Sequence, residues 1–396
     1  MRRIGILLFF IGDGGVRQYA QSMIDALMLD KSNKYVVFTA KGDTRYDNLD
    51  LEVRKVEVLG EYRVVKKLID KFFKVNLINL LMVFGIPKPL FFSHEEVSAF
   101  EDIDLFISPV TTLYPHFYLK KPFICTIHDL QEHYYPDYFT RKDLVARYFE
   151  KRRCGRNASR ILCESNHVKN DIVSLLNVEP DKVTVLQAPP PSDFLNQNLS
   201  EQILESAKKR YDLPDSYIFY PAQFWFHKNH IRLLDAFKIV SKRYDNLYLV
   251  LTGSKQNSYE NVLKRAEELD LGRRILQLGY IKYEDLPSIY KMSKMLVMPT
   301  LFESVSIPIY EAFALKVPVC SSNVVALPEQ VGNAGLLFDP HNPRDMAEKI
   351  MKLLEDEELR NVLVNRGYER VKDFNHQAYV NQLKKAIDQI VCQTPK

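Results

Sequence analysis

Two carboxylates, Glu303 and Glu311, stand eight positions apart in Thr300-Leu-Phe-Glu-Ser-Val-Ser-Ile-Pro-Ile-Tyr-Glu311. The segment follows an apolar run, 295–299, that reads as a buried strand. A helix beginning near residues 304–306 puts Glu303 in the loop at its start and Glu311 about two turns in, at ~3.6 residues per turn. The backbone N–H groups of such a start have no partner within the helix and form an anion site. A phosphate on the amides and a polyol on the carboxylate is the chemistry this pattern offers. Taken alone, the spacing fits an amphipathic helix with two solvated glutamates better than a site.

Other reactive side chains also follow apolar runs. Lys228, Asn229 and His230 lie in the loop after 217–221, Gly253 after 247–251, and His128 after 122–127. Gly14 and Gly15 close the glycine loop after the first run, 4–11, and permit close approach of a ligand or serve only as a turn. His128 can hydrogen-bond a substrate hydroxyl, pair with Asp129, or be a satisfied structural histidine. Lysine with a helix N-terminus suits a diphosphate leaving group. A carboxylate suits sugar hydroxyls and an oxocarbenium-like centre. Asp102-Ile-Asp104 has a metal-chelating pattern, but it precedes the strand 105–108 and so lies at the wrong end of an open sheet. It reads as solvated acidic residues, and no metal or other cofactor is expected. P-loop, nucleophile-elbow and zinc-helix patterns are absent from the sequence. The groups jointly fit metal-free cleavage of a sugar–diphosphate bond.

Elements able to place these groups together follow from the alternation of apolar strands with helical patterns, the signature of parallel sheets with crossover helices. At 396 residues the chain is long for one core and predicts two domains. The run Ala188-Pro-Pro-Pro-Ser192 can continue neither strand nor helix and reads as the linker. We expect an α/β chain of two Rossmann-like, doubly wound domains, 1–190 and 191–375, facing across a cleft with their strand ends inward. A last helical segment, 376–396, is expected to pack back on the first domain. The initial Gly12-Asp-Gly-Gly15 is not the G-x-G-x-x-G of dinucleotide enzymes.

With 46% hydrophobic and 26% charged residues the chain is globular rather than disordered. A net charge of only +4 argues against nucleic acid as the main partner. Five scattered cysteines without metal-ligand spacing point to a reducing cytoplasm. No segment reaches the ~18 apolar residues of a spanning helix, and the first apolar run leads into glycines rather than a cleavage site. Residues 61–92 interleave Arg63, Lys66, Lys67, Lys71 and Lys74 with apolar positions, then turn apolar. That is either a peripheral contact with an anionic membrane or a domain helix with a solvated lysine face.

The chain resembles retaining glycosyltransferases of the GT-B fold, the family of sucrose-phosphate synthases and many bacterial mannosyltransferases. The resemblance covers most of its length. It is carried by Gly14-Gly15-Val16, Thr126-Ile-His-Asp129, Glu164-Ser165, Tyr220 to His230, Thr252-Gly253, Glu303 through Glu311, and Leu327 to Pro340. It implies that Lys228 contacts the donor diphosphate, with Asn229 and Gly253 lining the same site. Glu303 and the amides of Ser304, Val305 and Ser306 would bind the donor sugar and phosphates, and Glu311 the ribose. His128 would touch the sugar beside the reacting carbon, with Gly14 and Gly15 against phosphate or acceptor. Retention would proceed by same-face attack, without metal. The acceptor would be a glycan or lipid-linked saccharide in cell-surface polysaccharide synthesis, at the cytoplasmic face of the membrane. Two alternatives are a sugar-nucleotide epimerase of the same architecture and a non-catalytic sugar-nucleotide-binding protein. Ala222-Gln223 stands where the family often has Gly-Arg, so a second phosphate-binding cation is missing. His227, His230 and Arg232 are candidates to replace it.

Overall fold

A computed structural model of the chain describes residues 1–9, 11, 15–56, 98–112, 121–189, 194, 199–279 and 281–391. Gly14 and the basic segment 61–92 lie outside the described residues. The chain forms two compact units: residues 1–188 with 376–396, and residues 189–375.

The first unit is built on seven strands: β1 (Arg3–Leu7), β2 (Lys34–Ala40), β3 (Glu52–Val56), β4 (Leu105–Ser108), β5 (Phe123–Thr126), β6 (Arg160–Cys163) and β7 (Val183–Val185). They run parallel in the order β3-β2-β1-β4-β5-β6-β7. Continuous apolar runs suit this sheet because crossover helices cover both of its faces. Alternate side chains sort between two cores. Ile4, Ile6, Tyr35 and Val37 join one, and Leu7, Val36, Phe38 and Phe106 the other. The terminal helix His376–Val391 belongs to this unit and packs beside the helix Gly15–Met28. Its Tyr379, Leu383 and Ile387 enter the first of the two cores, and its Lys384 ammonium pairs with Asp30 at 2.9 Å.

At the amino ends of these strands Asp102 is not simply solvated. It pairs with Arg54 at 2.7 Å and with Arg3 at 3.0 Å, while Asp104 accepts from the Arg3 amide at 2.8 Å. The two carboxylates fasten β1 and β3 to the entry of β4.

The second unit holds six strands: β8 (Tyr217–Pro221), β9 (Tyr248–Thr252), β10 (Ile275–Gln277), β11 (Met295–Met298), β12 (Val319–Ser322) and β13 (Leu336–Phe338). All run parallel, in the order β10-β9-β8-β11-β12-β13. One core unites the faces of this sheet with its helices, among them His230–Ser241, Ile307–Ala314 and Pro343–Glu355. None of the described helices is long and apolar enough to cross a membrane.

Candidate functional site

In the second unit the loops after β8 and β11 are hydrogen-bonded to each other and to the end of β12. Lys228 Nζ donates to Glu303 Oε2 at 2.5 Å, with both side chains less than a fifth exposed. Behind the lysine, Tyr220 donates its hydroxyl to the Lys228 carbonyl at 2.8 Å. The His227 carbonyl accepts from the Leu301 amide at 2.8 Å and the Thr300 hydroxyl at 3.1 Å. Ser322 donates to the Thr300 carbonyl at 2.8 Å.

Asn229 sits in the left-handed region at φ 57°, which asparagine tolerates better than most residues. Its amide nitrogen donates to the carbonyls of Pro299 and Pro340 at 2.8 and 2.9 Å, and its oxygen accepts from Arg232 at 3.1 Å. The buried Asn229 side chain therefore fixes the loop that presents Lys228. Gly253 has φ 126°, and a Cβ there would lie 2.5 Å from the Ala222 carbonyl oxygen. The close approach that this glycine permits is between the protein's own β8 and β9 loops. Gly15 opens the helix Gly15–Met28 of the other unit, with open space where a Cβ would stand.

The helix bearing Glu311 begins at Ile307. Gln330 caps its approach: the Ser306 amide donates to Gln330 Oε1 at 2.9 Å, and Gln330 Nε2 donates to the Ser306 carbonyl at 2.6 Å. That removes one of the amides expected to meet a phosphate. Pro308 has no N–H to offer. Among the described residues the Ser304 and Val305 amides make no hydrogen bond.

Glu311 is only 2% exposed, which excludes a solvated glutamate in this state. Its Oε2 accepts from the Tyr290 hydroxyl at 2.7 Å, while its Oε1 is buried without a partner. Burial pushes its carboxyl up to about 7, against the lowering effect of the Tyr290 bond. Of the candidates for a second cation, His230 fails on position. It is 1% exposed and stacked on Phe224 at 4.5 Å. Burial, reinforced by the Lys228 charge, pushes it down to about 3, so the ring is neutral.

In the first unit His128 follows β5 and has both ring nitrogens engaged. Nδ1 lies 2.8 Å from Glu164 Oε2, and Nε2 lies 2.8 Å from the Pro109 carbonyl oxygen. Tyr19 meets the ring edge-on at 4.8 Å, and its hydroxyl reaches Thr126 and Tyr379. Asp129 does not pair with His128. It faces Lys151 at 3.4 Å and Arg147 at 3.8 Å, and against burial their charges hold its carboxyl below the usual range. Burial alone would lower the His128 pKa, but the Glu164 bond and charge outweigh it and raise the ring above its ordinary value. The pairing role of Glu164 was not read from the sequence. The available signal was a carboxylate directly after the carboxyl end of a strand, the same position that singled out His128.

Residues 13–189 match the family described as Glycosyltransferase Family 4, and residues 202–370 match Glycosyl transferases group 1. The chain is 30% identical over 270 residues to O-antigen chain mannosyltransferase B of Escherichia coli, covering 66% of this chain and 69% of that protein. It is 26% identical over 242 residues to the serotype-specific mannosyltransferase WbdA of Escherichia coli, covering 59% of this chain and 29% of the much longer WbdA. Among solved structures, Anabaena Alr3699/HepE in complex with UDP and glucose superposes with a TM-score of 0.75 at 15% identity, over 98% of this chain and 100% of that one. Sucrose-phosphate synthase from Thermosynechococcus elongatus gives 0.73 at 18% identity, over the whole of both chains. Two parallel-sheet units of this kind, with these relatives, place the chain in the family of GT-B glycosyltransferases.

Proposed function

We propose that the chain is a retaining hexosyltransferase that moves a sugar, mannose by the favoured reading, from a nucleotide-diphospho-sugar to a saccharide or lipid-linked acceptor. The donor nucleotide is UDP or GDP, and the product belongs to a cell-surface polysaccharide. One observation carries the reading: the Lys228–Glu303 pair at the carboxyl ends of β8 and β11. These are the ends where open parallel sheets bind ligands. The names of the Escherichia coli mannosyltransferases support the sugar and the product class.

In this mechanism Lys228 neutralises the donor diphosphate, leaving Glu303 free to hold the donor sugar. Ser304 and Val305 offer amides to the same anion, and Glu311 turns its unpartnered oxygen to the ribose. The bond between the anomeric carbon and the diphosphate oxygen breaks while the acceptor hydroxyl attacks from the same face. The departing phosphate oxygen takes the acceptor proton, so no side chain becomes covalently linked. Charge on the leaving group is carried by lysine and backbone rather than by metal. The engagement of Asp102 and Asp104 by Arg54 and Arg3 supports that metal-independent reading. The reading places the enzyme at the cytoplasmic face of the membrane, in contact with it through residues 61–92.

Incubation with GDP-mannose, UDP-glucose and related donors in the presence of oligosaccharide acceptors, with and without a chelator, tests this. A glycosylated acceptor of retained configuration is expected. An epimerised sugar nucleotide, or binding without turnover, would replace the reading with one of its alternatives.

A further inference from the structure

Both acceptors on the His128 ring require hydrogen from it. The Pro109 carbonyl has no proton to give, so Nε2 carries one. An ionised Glu164 has none to give either, so Nδ1 carries one as well. The bonds could also be filled by a protonated Glu164 facing a neutral ring. That arrangement puts the proton on the weaker base, since imidazole ordinarily titrates near ~6.5 and a glutamate near ~4.3. The surroundings favour the charged pair. Glu164 and Asp129 supply negative charge, Lys151 and Arg147 are shared between Asp129 and the nearer Glu132, and the Tyr19 and Tyr379 hydroxyls are neutral.

We propose that Glu164 is a positioning residue that locks His128 as a doubly protonated imidazolium, so that His128 serves the transfer only as a hydrogen-bond donor and positive charge and never as a proton acceptor. The charge state follows from the two hydrogen bonds together with the greater basicity of imidazole over a carboxylate. Its use in transfer rests on the reading of His128 as a donor-sugar residue. A ring without a lone pair cannot take the acceptor proton, which leaves the departing phosphate to do so. To reach a sugar oxygen, Nε2–H exchanges the Pro109 carbonyl for the substrate while the buried Glu164 keeps the other edge fixed.

Ring-15N histidine spectra of the full chain test this, with His128 assigned by the signals lost in His128→Asn. At pH 7 the wild-type ring should show two protonated nitrogens. In Glu164→Gln, which keeps shape and a hydrogen-bonding partner, the midpoint should fall by at least ~1 pH unit, the usual scale for removing a neighbouring opposite charge. Glu164→Gln should also lose about tenfold in kcat at pH 8, with KM little changed, and recover as acid restores the imidazolium. A neutral wild-type ring at pH 7, or a midpoint unchanged in the variant, would overturn the proposal. Saturation with UDP-glucose or GDP-mannose addresses the underlying reading separately. A bound donor that leaves the His128 signals unmoved counts against the place of His128 at the sugar, while the charge state stands.

Discussion

Lys228 and Glu303 form an ion pair at 2.5 Å, each less than a fifth exposed. Under the proposed function, a diphosphate reaching the lysine displaces a carboxylate, which is then free to bind sugar hydroxyls.

Lys228→Ala and Glu303→Gln should each lower kcat/KM by at least ~10²-fold, the scale of removing a group that stabilises developing charge. The double variant should lose far less than the product of the two, because the residues act as a unit. Steady-state rates with a fixed acceptor check this. Near-native rates in both single variants would contradict the assignment.

Glu311→Gln should separate stability from binding. The folded carboxyl is raised to about 7 from an ordinary 4.5. Its contribution is therefore complete below about pH 4.5 and lost as pH rises through 7, a change of roughly 3 kcal/mol at ~1.4 kcal/mol per unit. Urea unfolding at pH 5 and pH 8 should show the wild type losing stability relative to Glu311→Gln at the higher pH. The same variant should bind UDP or GDP more weakly. Equal pH dependence in the two proteins would refute the buried, costly carboxylate.

Gln330→Leu strands the Ser306 amide and carbonyl in a buried position. Unmade buried hydrogen bonds cost about 1–3 kcal/mol, so thermal unfolding should fall by several degrees. Because the loop carrying Glu303 is then released at its far end, the donor KM should rise more than kcat falls. Unchanged melting and KM would show that Gln330 is dispensable.

Gly253→Ala forces a Cβ to within 2.5 Å of the Ala222 carbonyl at a φ of 126°. Strain of this type costs at least about 1–3 kcal/mol, before the β8 loop is pushed away from β9. Reduced soluble yield and a lowered melting temperature should appear together with reduced donor binding, since the displaced loop carries Lys228.

Much of the placement was legible in the sequence because parallel α/β folds write their strands as apolar runs, and the residue types that could bind a ligand stand just after those runs. Lys228, Glu303 and His128 stand after β8, β11 and β5 as expected, and the helix starts after Ser306. Pairings across the sheet are not so written. Gln330 reaches Ser306 over 24 positions and Glu164 reaches His128 over 36, and both depend on strand register. His230 lies two positions from Lys228, but its place at the start of the helix His230–Ser241 turns it inward against Phe224. Asp102 looked solvated because its partner Arg54 is far away in sequence, 48 positions back.

The terminal helix has a consequence for how the chain comes into being. Residues 189–375 form a continuous unit, so everything that makes up that unit has been synthesised before His376 is added. The other unit, although its sheet is made first, lacks Tyr379, Leu383 and Ile387 from its core until the last stretch emerges. Domains fold as units during synthesis, so the half that begins the chain is the half that must wait. Messages truncated near residue 375 should yield a folded second unit attached to a first one in which Tyr19 has lost its Tyr379 partner and the helix Gly15–Met28 its packing neighbour, a natural target for chaperones and proteases.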